Sequence, residues 1–246
     1  MTGADLKILS YQSIDSTNSE ATRLIQAGQV LQPLWILAET QDQGRGRQGR
    51  HWTSEKGNVF ATLVWPAPEM AKAPQTSFII AVAVQAVLQN LIGNKAQVSC
   101  KWPNDILINN RKIAGILLET AKDPKGQDWL IIGIGINLVS KPSDSRWPAI
   151  YLNEFATVPT PHDVVTSLHQ KWVKLYEIWE ARGFKPIAEN WMRCAFGLGV
   201  RVQYSIKDTK QSGAFSGLDE TGAALIRLDS GWVERVYAGE IEFPME

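Results

Sequence analysis

Between Gln97 and Asn137 the chain reads as strand after strand. QVSCKW, DILIN, KIAGILLE and WLIIGIGIN are apolar runs separated by Pro103, by an Asn109-Asn110 turn and by a polar DPKGQD loop. Runs of that length with those breaks predict sheet, with a tight hairpin at the asparagines. LWILAE at 34–39 and NVFATLVW at 58–65 add two strands, the second stopped by Pro66 and Pro68.

Helix signals stand apart from these runs. Thr17 heads T-N-S-E, a capping-box pattern; Ala21, Leu24 and Ile25 share the next face and Gly28 stops it. Residues 75–92 predict a strongly apolar helix ending before Gly93. Thr160, Pro161 and Asp163 supply a cap, a first-turn proline and a first-turn acid for a helix over 161–182, and a shorter one follows over 186–195. Strands and helices fall in separate runs without strict βαβ alternation, so the fold class is α+β. After Gly197 the texture changes. VRVQYSI, GAFSGL, ALIRL and WVERVYAGEI alternate with turn residues and carry no helical period, which predicts a small all-β module. The expected boundary lies near 196, giving domains 1–195 and 196–246.

Composition removes several function classes. Lys plus Arg is 25 and Asp plus Glu is 25, so the chain is not built as a general nucleic-acid surface, although a local basic loop fits. The longest apolar run, FIIAVAVQAVL at 78–88, is too short to span a bilayer, and MTGADLKILS has no signal-peptide pattern. The expectation is a cytoplasmic protein that does not engage a membrane. Cys100 and Cys194 sit in no CxxC pair and read as reduced thiols. His162 and His169 lie seven apart on a predicted helix without a third ligand, so they read as helix histidines. The sequence contains no G-x-S-x-G, P-loop or HExxH.

Four segments carry chemistry. In GRGRQGRHW at 44–52, Gly44, Gly46 and Gly49 free the backbone to expose N–H groups, while Arg45, Arg47 and Arg50 supply forked donors to oxyanions. The string also matches GxGxxG, but it sits well past its strand and RHWTSEKGN follows, which is not the helix a dinucleotide site requires. A basic turn and an Arg-Gly nucleic-acid segment are the other readings. Lys101, Asn104 and Asp105 in KWPND stand at a strand end, where they either serve a phosphate, a hydroxyl or Mg²⁺ or form a self-satisfied turn. Lys112 opens an apolar strand in which Gly115 asks for close approach, although a solubilising edge lysine has the same look. Gly133, Gly135 and Asn137 in GIGIN repeat the request for close approach.

Together these segments resemble the biotin protein ligases. The likeness runs through Ser16-Thr17-Asn18, Gln41, GRGRQGRHW, KWPNDI at 101–106, RKIAGIL at 111–117 and GIGINL at 133–138, and reaches Gly239-Glu240-Ile241. It implies a mixed-sheet catalytic domain of the biotin/lipoate ligase type followed by a small SH3-like β-barrel. It also implies the reaction: biotin and ATP, with Mg²⁺, give biotinyl-5′-AMP. A lysine of a biotin carboxyl carrier protein of acetyl-CoA carboxylase then takes the biotinyl group.

On the same resemblance, Ser16, Thr17, Asn18, Gln41, Gly44, Arg45, Gly46, Arg47, Lys112 and Gly115 surround biotin. Arg47, Arg50, Trp52, Lys101, Asn104, Lys112 and Asn137 serve the nucleotide. Lys112 is the central catalytic charge, with Arg47, Arg50, Lys101 and Asp105 beside it, and Asp105 is the candidate metal ligand. Many relatives carry an N-terminal helix-turn-helix; 15 residues precede Ser16 here, too few for one, so no sequence-specific DNA partner is expected. Relatives occur both as monomers and as homodimers, and either is compatible with the chain. The competing readings are a lipoate or octanoate ligase or transferase of the same superfamily and, in another class, a non-enzymatic nucleotide- or nucleic-acid-binding protein.

Overall fold

Seven strands form one mixed sheet in the computed structural model, which describes residues 6–143, 147–206, 209–237, 239 and 241–244. Glu240 of the C-terminal match and residues 1–5 lie outside the described residues. The strands are β1 (Ile8–Ile14), β2 (Leu34–Gln41), β3 (Val59–Pro66), β4 (Val98–Lys101), β5 (Asp105–Ile108), β6 (Arg111–Lys122) and β7 (Asp128–Ile136). They stand in the order β1-β2-β3-β7-β6-β5-β4. Only β1 and β2 run parallel; every other neighbouring pair is antiparallel.

Both faces of this sheet are covered, and strand alternation sorts the side chains between them. On one face Leu34, Ile36, Val64 and Ile131 pack with Ala21 and Ile25 of α1 (Thr17–Gln26). On the other, Trp35, Leu37, Leu63 and Ile132 join α2 (Thr76–Ile92), α3 (Pro161–Arg182) and α4 (Lys185–Arg193) in the main core. The helical run Met70–Lys95 is long and apolar enough to cross a membrane, with a mean hydropathy of 1.6. Its central part, α2, is apolar nearly all round because it is the core helix, packed between the sheet and α3.

The second sheet is antiparallel throughout. It holds β8 (Arg201–Ile206), β9 (Thr209–Leu218), β10 (Ala224–Arg227), β11 (Val233–Val236) and β12 (Ile241–Glu242), in the order β11-β10-β9-β8-β12. The run WVERVYAGEI therefore breaks into two strands on opposite edges of this sheet. The two sheets share one core: Phe215, Ile226 and Phe243 belong to the same buried cluster as α2 and α3.

The hairpin, the long helix and the α+β class are found where the sequence puts them. Asn109 and Asn110 both have positive φ, 47° and 62°, as a two-residue hairpin turn requires. Thr160 caps α3, its side chain accepting from the Asp163 amide. The capping box at Thr17 is not. Ser16 occupies the cap position without a side-chain cap bond, and Thr17 is the first helical residue. Thr17 instead gives its amide and its hydroxyl to Gln41 Oε1, at 2.8 and 3.1 Å. Glu20, the other half of the expected box, accepts from Tyr11 and Arg23.

Candidate active site

Three glycines make a hollow in the sheet. On the α1 face, Gly115 of β6 stands opposite Gly135 of β7, and Gly133 stands between Thr62 and Leu117. A Cβ at Gly133 would overlap Asn18 Oδ1, and one at Gly135 would lie inside the Trp52 indole. The close approach that the glycines ask for is thus made by other parts of the chain. Above them lies a cavity of about 520 Å³.

One end of the cavity is lined by hydroxyls and amides, backed by the Arg45–Glu119 ion pair. Ser16, Thr17 and Asn18 are buried at the start of α1. Thr62 Oγ1 lies 2.8 Å from Thr17 Oγ1 and 2.6 Å from Asn18 Oδ1. Gln41 accepts from Thr17 and passes its own Nε2 to Ser54 at 3.1 Å. Hydroxyls and amides chained in this way present donors and acceptors at set positions, which suits a planar, uncharged ligand edge.

The other end is cationic. Lys112 and Gly115 are three residues apart on β6, so simple alternation would put them on opposite faces. The β5–β6 register slips between Ile106 and Leu107, with Ala114 and Lys112 as consecutive partners. This bulge brings Lys112 round to the cavity. Its ammonium lies 2.5 Å from Asp105 Oδ1, and Lys101 Nζ lies 3.9 Å from Asp105 Oδ2. Lys101 also sits 4.2 Å from the Trp147 ring centre. Arg47 reaches Asn104 Oδ1 at 3.4 Å and the Gly239 carbonyl of the C-terminal module at 3.2 Å. Burial draws the Arg47 guanidinium below its ordinary pKa; the Asp105 charge opposes this and Arg50 adds to it. Asn104 is itself pinned, its Nδ2 donating to Ile116 O at 2.6 Å.

The glycine–arginine segment closes the cavity from above. Gly46 N donates to Arg50 O at 2.7 Å and Trp52 N donates to Gly44 O at 2.9 Å, a small self-paired loop. Trp52 covers the glycine floor 5.4 Å from the Lys112 ammonium, and its buried indole N–H has no hydrogen-bond partner in the chain.

Of the residues singled out from the sequence, Ser16, Thr17, Asn18, Gln41, Arg45, Gly46, Arg47, Arg50, Trp52, Lys101, Asn104, Asp105, Lys112, Gly115 and Asn137 all line this cavity. Gly44 does not. It is buried under the loop, where a Cβ would meet Trp52 O at 2.6 Å. Arg45 turns away from the cations to pair with Glu119 at 3.0 Å. Asn137 gives its amide to Ile150 O at 3.1 Å, tying down the segment that carries Ala149. Among the described residues no three His, Cys, Asp or Glu side chains come together as a metal site, and the Asp105 carboxylate is occupied by lysines.

Sequence reasoning missed Thr62, Glu119, Trp147 and Phe243. Glu119 was within reach, because alternation from Gly115 through Leu117 puts it on the site face. Trp147 and Phe243 come from distant loops and gave no local signal.

A family model described as the biotin/lipoate A/B protein ligase family matches residues 10–137. The chain belongs to that family. A second model, the biotin protein ligase C terminal domain, matches residues 196–243. Within this ligase family, the biotin–[acetyl-CoA-carboxylase] ligase of Paracoccus denitrificans is 34% identical over 224 residues, covering 88% of this chain and 92% of that protein. The bifunctional ligase/repressor BirA of Bacillus subtilis is 29% identical over 253 residues, covering 95% of this chain and 73% of BirA. Among solved structures, the biotin protein ligase from Aquifex aeolicus in complex with biotin and ATP matches with a TM-score of 0.83 and 26% identity, over 98% of this chain and 99% of that one. The enzyme described here is thus a ligase with a mixed-sheet catalytic fold and a C-terminal antiparallel sheet.

Proposed function

We propose that the chain is an ATP-dependent ligase that converts biotin to biotinyl-5′-AMP and transfers the biotinyl group to a lysine of a biotin carboxyl carrier protein of acetyl-CoA carboxylase. The observation that carries the reading is the polarity of this cavity: a network of hydroxyl and amide donors and acceptors at one end, and Lys112, Lys101, Arg47 and Arg50 at the other. Biotin has that same polarity, a ureido ring at one end and a carboxylate at the other. Residues 1–195 would form the catalytic domain and 196–246 the SH3-like domain that closes the phosphate side.

The chemical problem is the collision of two anions. Two unit charges 4 Å apart repel by about 4 kcal/mol at an effective dielectric constant near 20. Lys112, Arg47, Lys101 and Arg50 offset this as the biotin carboxylate attacks the α-phosphorus and the bond to pyrophosphate breaks. Asp105 holds the Lys112 ammonium in place for that step. Trp52 and the loop keep water from the mixed anhydride. The acceptor amine then attacks the acyl carbon, forming the amide and releasing AMP and a proton. Magnesium would travel with the ATP phosphates, with Asp105 as the carboxylate at hand to hold it, and would add to the charge that these cations offset.

The test is ATP-dependent pyrophosphate release with biotin and, separately, with lipoate or octanoate. Release with biotin alone, followed by labelling of a carboxyl carrier domain, is the expected result. Release with lipoate or octanoate but not biotin would move the chain to the other branch of the family.

A further inference from the structure

We propose that Glu119 is a positioning residue for the biotin end of the site, a single carboxylate that orients the Asn18 amide and latches the glycine–arginine loop through Arg45. The inference rests on the biotin-ligase reading for its ligand and on geometry for the latch. Glu119 Oε2 accepts from Asn18 Nδ2 at 2.7 Å and from Arg45 Nη2 at 3.0 Å. Glu119 Oε1 accepts from Arg45 Nε at 3.4 Å and from Nη2 at 3.3 Å. The remaining guanidinium nitrogen, Nη1, donates to Ser16 Oγ at 3.1 Å and to Ser19 Oγ at 2.7 Å.

Every nitrogen of Arg45 is therefore committed within the protein, across the first turn of α1. A forked cation held on both sides in this way is a fastener rather than an anion receptor. Arg47, two residues on, meets Asn104 and Gly239 instead. The loop divides its labour: Arg45 holds it shut and Arg47 faces the phosphate.

The second half of the role concerns Asn18. An amide reads a ligand only if its donor and acceptor ends are told apart. Thr62 Oγ1 donates to Asn18 Oδ1 at 2.6 Å, and the Glu119 carboxylate, which only accepts, takes a hydrogen from Nδ2. Glu119 thus fixes which way a buried amide faces at the hydroxyl and amide end of the cavity, and the same two oxygens hold the lid. Ligand recognition and closure share one charge.

Glu119→Gln keeps the shape and removes the charge. At saturating ATP it should raise the KM for biotin about tenfold, the scale of one charged hydrogen bond, with kcat within about twofold. Glu119→Asp should recover part of the loss. Arg45→Gln, which removes the latch and leaves Glu119 on Asn18, should show part of the Glu119→Gln loss, and the double variant should be no worse than Glu119→Gln, since the latch is one shared contact. A second measurement needs no biotin: the rate of tryptic cleavage after Arg47 and Arg50 in the ligand-free protein, with melting temperatures as a control. Faster cleavage in both single variants at an unchanged melting temperature supports the latch. Additive KM losses in the double variant, or wild-type cleavage in Glu119→Gln, overturn it. Absence of biotin-dependent pyrophosphate release by the wild-type enzyme would overturn the biotin reading alone, and the tryptic rates would still decide the latch.

Discussion

Lys112 is the residue on which the proposed chemistry turns. Its ammonium stands 2.5 Å from Asp105 and beside the glycine floor, where a biotin carboxylate and an α-phosphate would meet. Removing one strong electrostatic donor from a developing charge costs roughly 10²-fold in rate. Lys112→Ala is expected to lower kcat for pyrophosphate release by about that factor, and Lys112→Met, which keeps the bulk, should not restore it. Wild-type turnover in either variant would take Lys112 out of the mechanism. The residue was legible from the sequence only as one of two readings, because an edge lysine looks the same in a strand pattern. What decides is the bulge beside it, and a bulge is set by β5 and the neighbouring Pro148–Ile150 backbone, not by β6 alone. Arg45 shows the reverse case. The loop sequence marks three arginines alike, and only the tertiary partner, Glu119, separates the one that fastens from those that face the cations.

At the scale of elements, the short helix α1 is what places Ser16, Thr17 and Asn18, and its entry is held by charge. Arg23 grips Asp15 with two hydrogen bonds, at 2.7 and 2.8 Å, and also bonds Glu20. The Arg23 guanidinium, helped by the Ser16 amide, holds the Asp15 carboxyl down at about 2. An unfolded aspartate titrates near 3.9, so the folded value is the lower one. The stabilisation is therefore complete above about pH 4 and is lost as pH falls through 2. The melting-temperature gap between wild type and Asp15→Asn should be steady from pH 7 to 5 and should shrink between pH 4 and 2; a constant gap across that range would refute the assignment. The strands that are apolar on both faces, and the helices with caps and stops, were legible because burial and termination leave local marks. Strand β1 was not. It is an edge strand whose residues are all at least partly exposed, and ILSYQSI carries no buried alternation.

At the scale of the whole molecule, the two sheets were legible as two textures, but not as one body. The seam is backbone and aromatic. Cys100 N donates to Cys194 O at 2.7 Å and Phe196 N donates to Cys100 O at 2.8 Å, so the connecting segment pairs with the end strand β4 of the large sheet. Trp102 Nε1 donates to the Gly222 carbonyl at 3.2 Å. The rings run on from Phe78 to Trp191, from Trp191 to Phe215, and from Phe215 to Phe243. No sequence pattern announces such a contact, since the backbone and Trp102 bonds across it join residues 94 to 120 positions apart. A shared core of this kind predicts one cooperative unfolding transition, with calorimetric and van't Hoff enthalpies equal. Phe243→Ala tests the seam directly. The ring is buried against Phe196 and Phe215, and it also lines the cavity 5.8 Å from the Lys101 ammonium. Truncating a buried phenylalanine costs about 3–5 kcal/mol. In a chain of this length that lowers the melting temperature by roughly 6 °C or more. Because the core is continuous, the whole transition should move down together and the pyrophosphate-release rate should fall with it. A variant that splits into two transitions, with the large sheet melting at its original temperature, would show that the modules fold independently and that the seam contributes only to the site.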